Sequence, residues 1–145
     1  MAHESIKMER IFDASSALMW EALTDDERLK QWYMDFKGKF KAEVGHIVEF
    51  ETGPPEGKQW LHRVEVLEVV ENKKLAHTWS YPGYSGKAIL TWELIEQGAE
   101  KTLLKMNFDF VELFDPNEDA LHRSNFEAGW SELIDTNLAN YIKQQ

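Results

Sequence analysis

The stretch "NFEAGWSELIDTNLANYI", Asn125 to Ile142, decides the fold. At about 100° per residue, Phe126, Trp130, Leu133, Ile134 and Tyr141 share one wide apolar stripe, with Leu138 at its border and Asn137 near its centre. That pattern predicts one continuous helix laid against a core. Lys143 stands in its last turn, where a cation suits the helix dipole. Asp119 is expected in its first turn, after the break at Asp115-Pro116-Asn117. Gly129 should weaken such a helix by roughly 1 kcal/mol relative to alanine. Its place at the edge of the stripe predicts a close backbone approach that lets Trp130 sink into a concave partner.

Upstream of the helix, the pattern between residues 36 and 110 switches to period two. Leu90, Trp92 and Leu94 match Leu104, Met106, Phe108 and Phe110 across the turn Gln97-Gly98-Ala99-Glu100, which reads as an antiparallel hairpin. Further turns are expected at Val44-Gly45, Gly53-Pro54-Pro55-Glu56-Gly57, Glu71-Asn72-Lys73 and Pro82-Gly83. Between them, His46, Val48 and Phe50 share one strand face, and Leu75, His77, Trp79 and Tyr81 another. The run Trp60 to Val70 carries apolar residues on both faces, which leaves its inward side open and suggests a bulge. At the other end of the chain, Ile6, Met8 and Phe12 alternate with charged residues as a first strand. Ser15 and Ser16 offer capping hydroxyls to a short helix through Leu23, and Asp25 or Asp26 to a second through Trp32.

The order is therefore β-α-α, a long antiparallel run, then one helix: an α+β domain whose curved sheet wraps around the C-terminal helix, with residues 1–145 as a single domain. One helix cannot cover such a sheet, and the space left would be lined by aromatic, Met and His side chains. That describes a pocket for a mostly apolar small molecule.

Composition narrows the partners. The formal net charge is −10 and the pI about 4.9, which repels phosphate backbones, so nucleic acid is not expected. There is no cysteine, hence no disulfide framework and no thiolate chemistry. No apolar run approaches the roughly 20 residues that span a bilayer, and no signal core opens the chain. A cytoplasmic protein without membrane insertion is expected, as a monomer or weak homodimer. Lys-rich segments at residues 36–39 and 72–74 should blunt pairing between edge strands.

The five histidines, His3, His46, His62, His77 and His122, show no HExxH and no close pair on a helix face, so no metal is expected. No GxSxG elbow is present, and the prolines of "GPPEG" remove the amide donors that would cradle a phosphate. No cofactor and no catalytic constellation follow. The expected ligand wall is Trp79, Trp92, Met106, Phe108, Phe126, Trp130 and Tyr141, with His77 and Asn137 as polar contacts; both polar groups also fit plain structural hydrogen bonding.

Four fragments carry a resemblance: "ERIFDASSALMWEALTDDERLKQW", "LEVVENKKLAHTWS", "LTWELIEQGAEKTLLKM" and "EAGWSEL". In this order they are similar to the START-like, helix-grip (SRPBCC) superfamily, and more narrowly to the branch named for homology to the activator of the heat-shock-protein-ninety ATPase. The resemblance runs from about Ile6 to Ile142 and implies the helix-grip fold with a cavity for a lipid or other apolar ligand. Two further readings come with it: a cyclase or hydrolase on a polyketide-like substrate with His77 as acid/base, and a module that binds a heat-shock chaperone.

Overall fold

Alternation in the N-terminal segment becomes the edge strand β1 (Ile6–Phe12), which buries Ile6 and Phe12. Helix α1 (Ser16–Thr24) follows, capped by the Ser15 hydroxyl, which accepts from the Leu18 amide at 3.1 Å. Helix α2 (Asp26–Trp32) packs against it, and Trp32 Nε1 donates to the Ala22 carbonyl at 2.8 Å, tying the two together. The computed structural model describes residues 4–54 and 56–145. His3, and Pro55 of the turn expected at 53–57, lie outside the described residues.

Strands β2 (Ile47–Thr52), β3 (Trp60–Val70), β4 (Lys74–Trp79), β5 (Lys87–Gly98) and β6 (Lys101–Glu112) complete a six-stranded antiparallel sheet in the order β1-β6-β5-β4-β3-β2. The expected hairpin has the expected register: Leu90 faces Phe108, Trp92 faces Met106 and Leu94 faces Leu104. The ambiguity of β3 has a physical cause. Its register with β4 slips between Val66 and Glu68, so His62, Val64 and Val66 point inward before the bulge and Val69, opposite Leu75, after it. Since the edges of the sheet are β1 and β2, the lysines at 73 and 74 sit at a turn between interior strands. They do not guard an edge as the sequence suggested.

The chain reaches its last helix later than expected. A short 3-10 turn (Asp119–Leu121) brings Leu121 into the core, and α3 (Arg123–Glu132) starts only after it, so Asp119 is not in the helix's first turn. The helix continues through a π-helical segment (Leu133–Leu138) into α4 (Ala139–Lys143). That wider turn corrects the sequence-based stripe. In a π-turn the hydrogen bond spans five residues and one turn takes more than four, so it offsets the drift that residues four apart accumulate along the flanking α-helical turns. Phe126, Trp130, Ile134, Leu138 and Ile142 form the buried row, with Leu138 fully enclosed, whereas Leu133 and Asn137 are only half-buried.

Gly129 is also corrected. It lies on the exposed face, and a Cβ added there would touch nothing within 4 Å, so it makes no close approach. Trp130 is buried for a different reason: it belongs to the four-residue row. Gly86 shows what a required glycine looks like, with φ at +108° and Phe114 Cα only 2.5 Å from where its Cβ would stand.

Candidate functional site

The concave face of the sheet and the C-terminal helix (residues 123–143) enclose an aromatic interior. Seven of the nine expected residues meet there. Trp130 on α3 lies 5.4 Å from Trp79, 5.5 Å from Phe108 and 6.0 Å from Trp92, centroid to centroid, mostly edge to face. Phe126 packs on Phe108 at 5.1 Å, His77 stacks on Trp79 at 6.4 Å, and Met106 is buried opposite Trp92 in the neighbouring strand. The other two stand apart. Asn137 is half-buried on the π segment and makes no described hydrogen bond, and the hydroxyl of Tyr141 accepts from Arg28 Nη1 at 3.0 Å. That bond ties α4 to α2.

Sequence reasoning missed a central member. Tyr33, just past the end of α2, stacks on Trp130 at 6.1 Å and on Trp32 at 5.0 Å, and meets Trp92 edge-on at 6.4 Å. The available signal was the aromatic density of Trp32, Tyr33, Phe36 and Phe40 in a segment otherwise read as a connection. Phe36 and Phe40 are buried beside Tyr33, which is itself half-buried with its hydroxyl enclosed, and Phe36 reaches Phe50 of β2 at 4.5 Å.

Two polar atoms in this interior are unsatisfied: the hydroxyl of Tyr33 and Nε1 of Trp130 are buried with no hydrogen-bond partner. A buried donor left unpaired costs about 1–3 kcal/mol. Trp79 solves the same problem by donating Nε1 to the Tyr81 hydroxyl at 2.9 Å. Tyr81 leads outward. With Trp60, His62, Thr52 and Leu121 it lines a hollow of about 200 Å³ that opens at the surface between β2, β3 and the 3-10 turn.

The two histidines on this face are held alike. His77 Nδ1 lies 2.8 Å from the Thr78 carbonyl oxygen and His62 Nδ1 2.7 Å from that of Trp60. A carbonyl only accepts, so the neutral His77 ring carries its proton on Nδ1 and presents Nε2 as a lone-pair acceptor, while His62 faces the backbone carbonyls of both Trp60 and Phe50. Burial drives both imidazoles down to about 4. Burial likewise pushes Tyr81 up to about 12, and raises Tyr33 well above its ordinary value with a further contribution from nearby Tyr81. At neutral pH all four are uncharged. Among the described residues the buried polar side chains are His62, His77, Thr78 and Thr102, so no formal charge sits among the rings. No group of three His, Cys, Asp or Glu among the described residues is placed to hold a metal ion. No described helix is long and apolar enough to cross a membrane.

Comparison with known proteins fits this architecture. Protein MLL2253 from Mesorhizobium loti is 23% identical over 98% of this chain and 98% of its own, with a TM-score of 0.74. CV1439 from Chromobacterium violaceum is 20% identical over 95% and 96%, with a TM-score of 0.76. An Hsp90 activator from Plasmodium falciparum is 16% identical over 95% and 93%, with a TM-score of 0.66. At these identities the likeness shows the fold alone. A search of curated protein sequences finds no match. The model of the Activator of Hsp90 ATPase homolog 1-like protein family matches residues 13–143, nearly the whole chain, and the chain belongs to that family.

Proposed function

We propose that the protein binds a small apolar or aromatic molecule between the concave sheet and its C-terminal helix, in the cytoplasm, as a monomer or weak homodimer. The wall comprises Trp79, Trp92, Met106, Phe108, Phe126 and Trp130, with His77 as a polar contact, while Asn137 and Tyr141, expected there from the sequence, stand apart from it. The observation that carries this reading is the Trp130 indole N–H, buried among the rings with no hydrogen-bond partner. A bound molecule supplying that acceptor would remove the penalty. Entry requires the rings to part. The 33–46 segment, without helix or strand and bearing Tyr33, Phe36 and Phe40, is the wall best suited to move, since connections of this length in small domains are usually functional. The test is a native mass-spectrometry and thermal-shift screen against lipids and aromatic metabolites. A ligand that binds the folded state alone raises the melting temperature, and above its Kd the gain grows with the logarithm of its concentration; no ligand-dependent stabilisation would remove the reading.

Two observations favour further readings. The Nε2 of neutral His77, not engaged by the Thr78 carbonyl, occupies the position a general base would take in a cyclase or hydrolase, with its basicity weakened by the burial that lowers it to about 4. In that case His77→Ala loses turnover while the fold stays intact, and unchanged turnover dismisses the role. Family membership and the likeness to the Plasmodium activator favour a chaperone-interaction module. A pull-down with the cognate heat-shock ATPase that stays negative at low salt dismisses that one.

A further inference from the structure

We infer that the open edge of β2 is a docking site for a basic, extended segment of another protein, which adds to the six-stranded sheet as a further strand.

Hydrogen-bond direction shows that this edge is open. Arg63 exchanges both backbone bonds with Ser80 on the β4 side, donating at 2.8 Å and accepting at 3.2 Å. Val66 does the reverse: its N–H donates to the His46 carbonyl at 2.9 Å and its carbonyl accepts from Gly45 at 2.8 Å, on the β2 side. Backbone groups of successive residues point to opposite sides of an antiparallel strand, so His62 and Val64 also turn toward β2, where they meet Phe50 and Val48. Ile47, Glu49 and Glu51 therefore aim their N–H and C=O groups away from the sheet. None of these groups has a hydrogen-bond partner among the described residues. Such a row is a template for a further strand.

The opposite edge differs. Beside β1, Arg10 Nη1 donates to the Glu9 carbonyl at 2.7 Å and Arg123 Nη2 to the Ser5 carbonyl at 3.2 Å, so arginines occupy backbone acceptors there. β2 contains neither lysine nor proline, the residues that commonly guard an edge.

Charge selects the occupant. On the convex face this edge presents Ile47, Glu49 and Glu51, all exposed, and behind them in register stand Glu65, Arg63 and Leu61 of β3. Arg63 Nε reaches Glu49 Oε2 at 3.6 Å, whereas Glu51 has no cation among the described residues. The strip thus sets three carboxylates against one guanidinium. A second copy of the chain is repelled: in the register that pairs all three edge residues, Glu49 faces Glu49. An antiparallel segment reading basic, any, basic, any, apolar places its cations opposite Glu51 and Glu49 and its apolar residue opposite Ile47.

The test titrates an acetylated, amidated peptide, SKTKTVS, into the full chain by calorimetry. Its controls are SETETVS and the first peptide with both lysine amides N-methylated. The lysine peptide is expected to bind about tenfold or more tighter than either control, because one loses the attractive cross-strand pairs and the other loses edge hydrogen bonds. The amides of Ile47, Glu49 and Glu51, read by NMR hydrogen exchange, should be unprotected in the free protein and slowed by the lysine peptide. Glu51→Lys, at a site with no described ion pair to lose, should weaken the lysine peptide and strengthen SETETVS. Equal binding of the N-methylated peptide reduces the contact to electrostatic attachment and overturns strand addition. Equal binding of SETETVS overturns the basic preference. Protection of the three amides before any peptide is added shows an edge already paired and overturns the docking site, as does no binding of the lysine peptide.

Discussion

The Arg10 guanidinium of edge strand β1 reaches both carboxylate oxygens of Asp135, with Nε 2.6 Å from Oδ1 and Nη2 3.1 Å from Oδ2, and so fastens the sheet's edge to the π-helical segment. The paired geometry makes this the best-formed ion pair of the surface, and it holds the Asp135 carboxyl below its ordinary range. Both side chains are about two-fifths exposed, which limits its worth. A double-mutant cycle with Arg10→Ala and Asp135→Ala is expected to give a coupling of about 0.5–1 kcal/mol, shrinking in high salt. A coupling unchanged by salt would mean the pair is shielded from solvent.

Gly129 gives a sign-sensitive test. Its side-chain space is open, so Gly129→Ala gains helix propensity at no steric cost and should stabilise the protein by about 0.5–1 kcal/mol. Urea denaturation measures it. A destabilised variant would restore the close approach suggested by the sequence.

The π-turn makes a prediction that a regular helix would reverse. Leu138→Ala, at a fully enclosed position, should cost about 2–5 kcal/mol, and Leu133→Ala, half-buried, about 1 kcal/mol. On an unbroken α-helix Leu133 would lie well inside the stripe and Leu138 at its border, so the ranking of the two losses reports the turn.

His62 and His77 set a pH limit. In the unfolded chain each takes up a proton near 6.5, whereas the folded protein resists until about 4. Their folded values are depressed, so for a base that must stay neutral the contribution is whole above about pH 6.5. It is lost progressively as the pH falls from there toward 4, by at most about 3 kcal/mol per histidine. Asp135, whose folded value is also depressed, begins to add its own loss only below about pH 5, as the unfolded carboxyl starts to protonate. Denaturation midpoints at pH 7.5, 6 and 5 should fall in that order, and His77→Gln should flatten the slope. A level profile would show that the imidazoles charge freely in the folded state.

How far the chain could be read in advance follows from which forces were local. The β5–β6 hairpin was legible because strict alternation and a turn signal fall in one short stretch, and the Ser15 cap because its partner is three residues away. The inward face of β3 was not, since a bulge moves the inward phase by one residue mid-strand and leaves a sequence that looks apolar on both sides. The same holds for the helix: the wheel places Asn137 centrally only if every turn is α-helical, and the π segment that seats Leu138 instead is fixed by tertiary packing. Most of the aromatic wall was visible as alternating Trp and Phe on the strands. Tyr33 was hidden because it sits beyond a helix end, where no periodicity speaks for it.

Trp79 and Trp92 each lie within 6.0 Å of Trp130 and at steep angles to it, so light absorbed by one of these indoles is shared through Trp130. Their near-ultraviolet circular dichroism is then a property of the trio, sensitive to small rotations of any member and silent once the packing loosens. The interior thus carries its own optical gauge, and a molecule that parts these rings should be visible in that spectrum without any label.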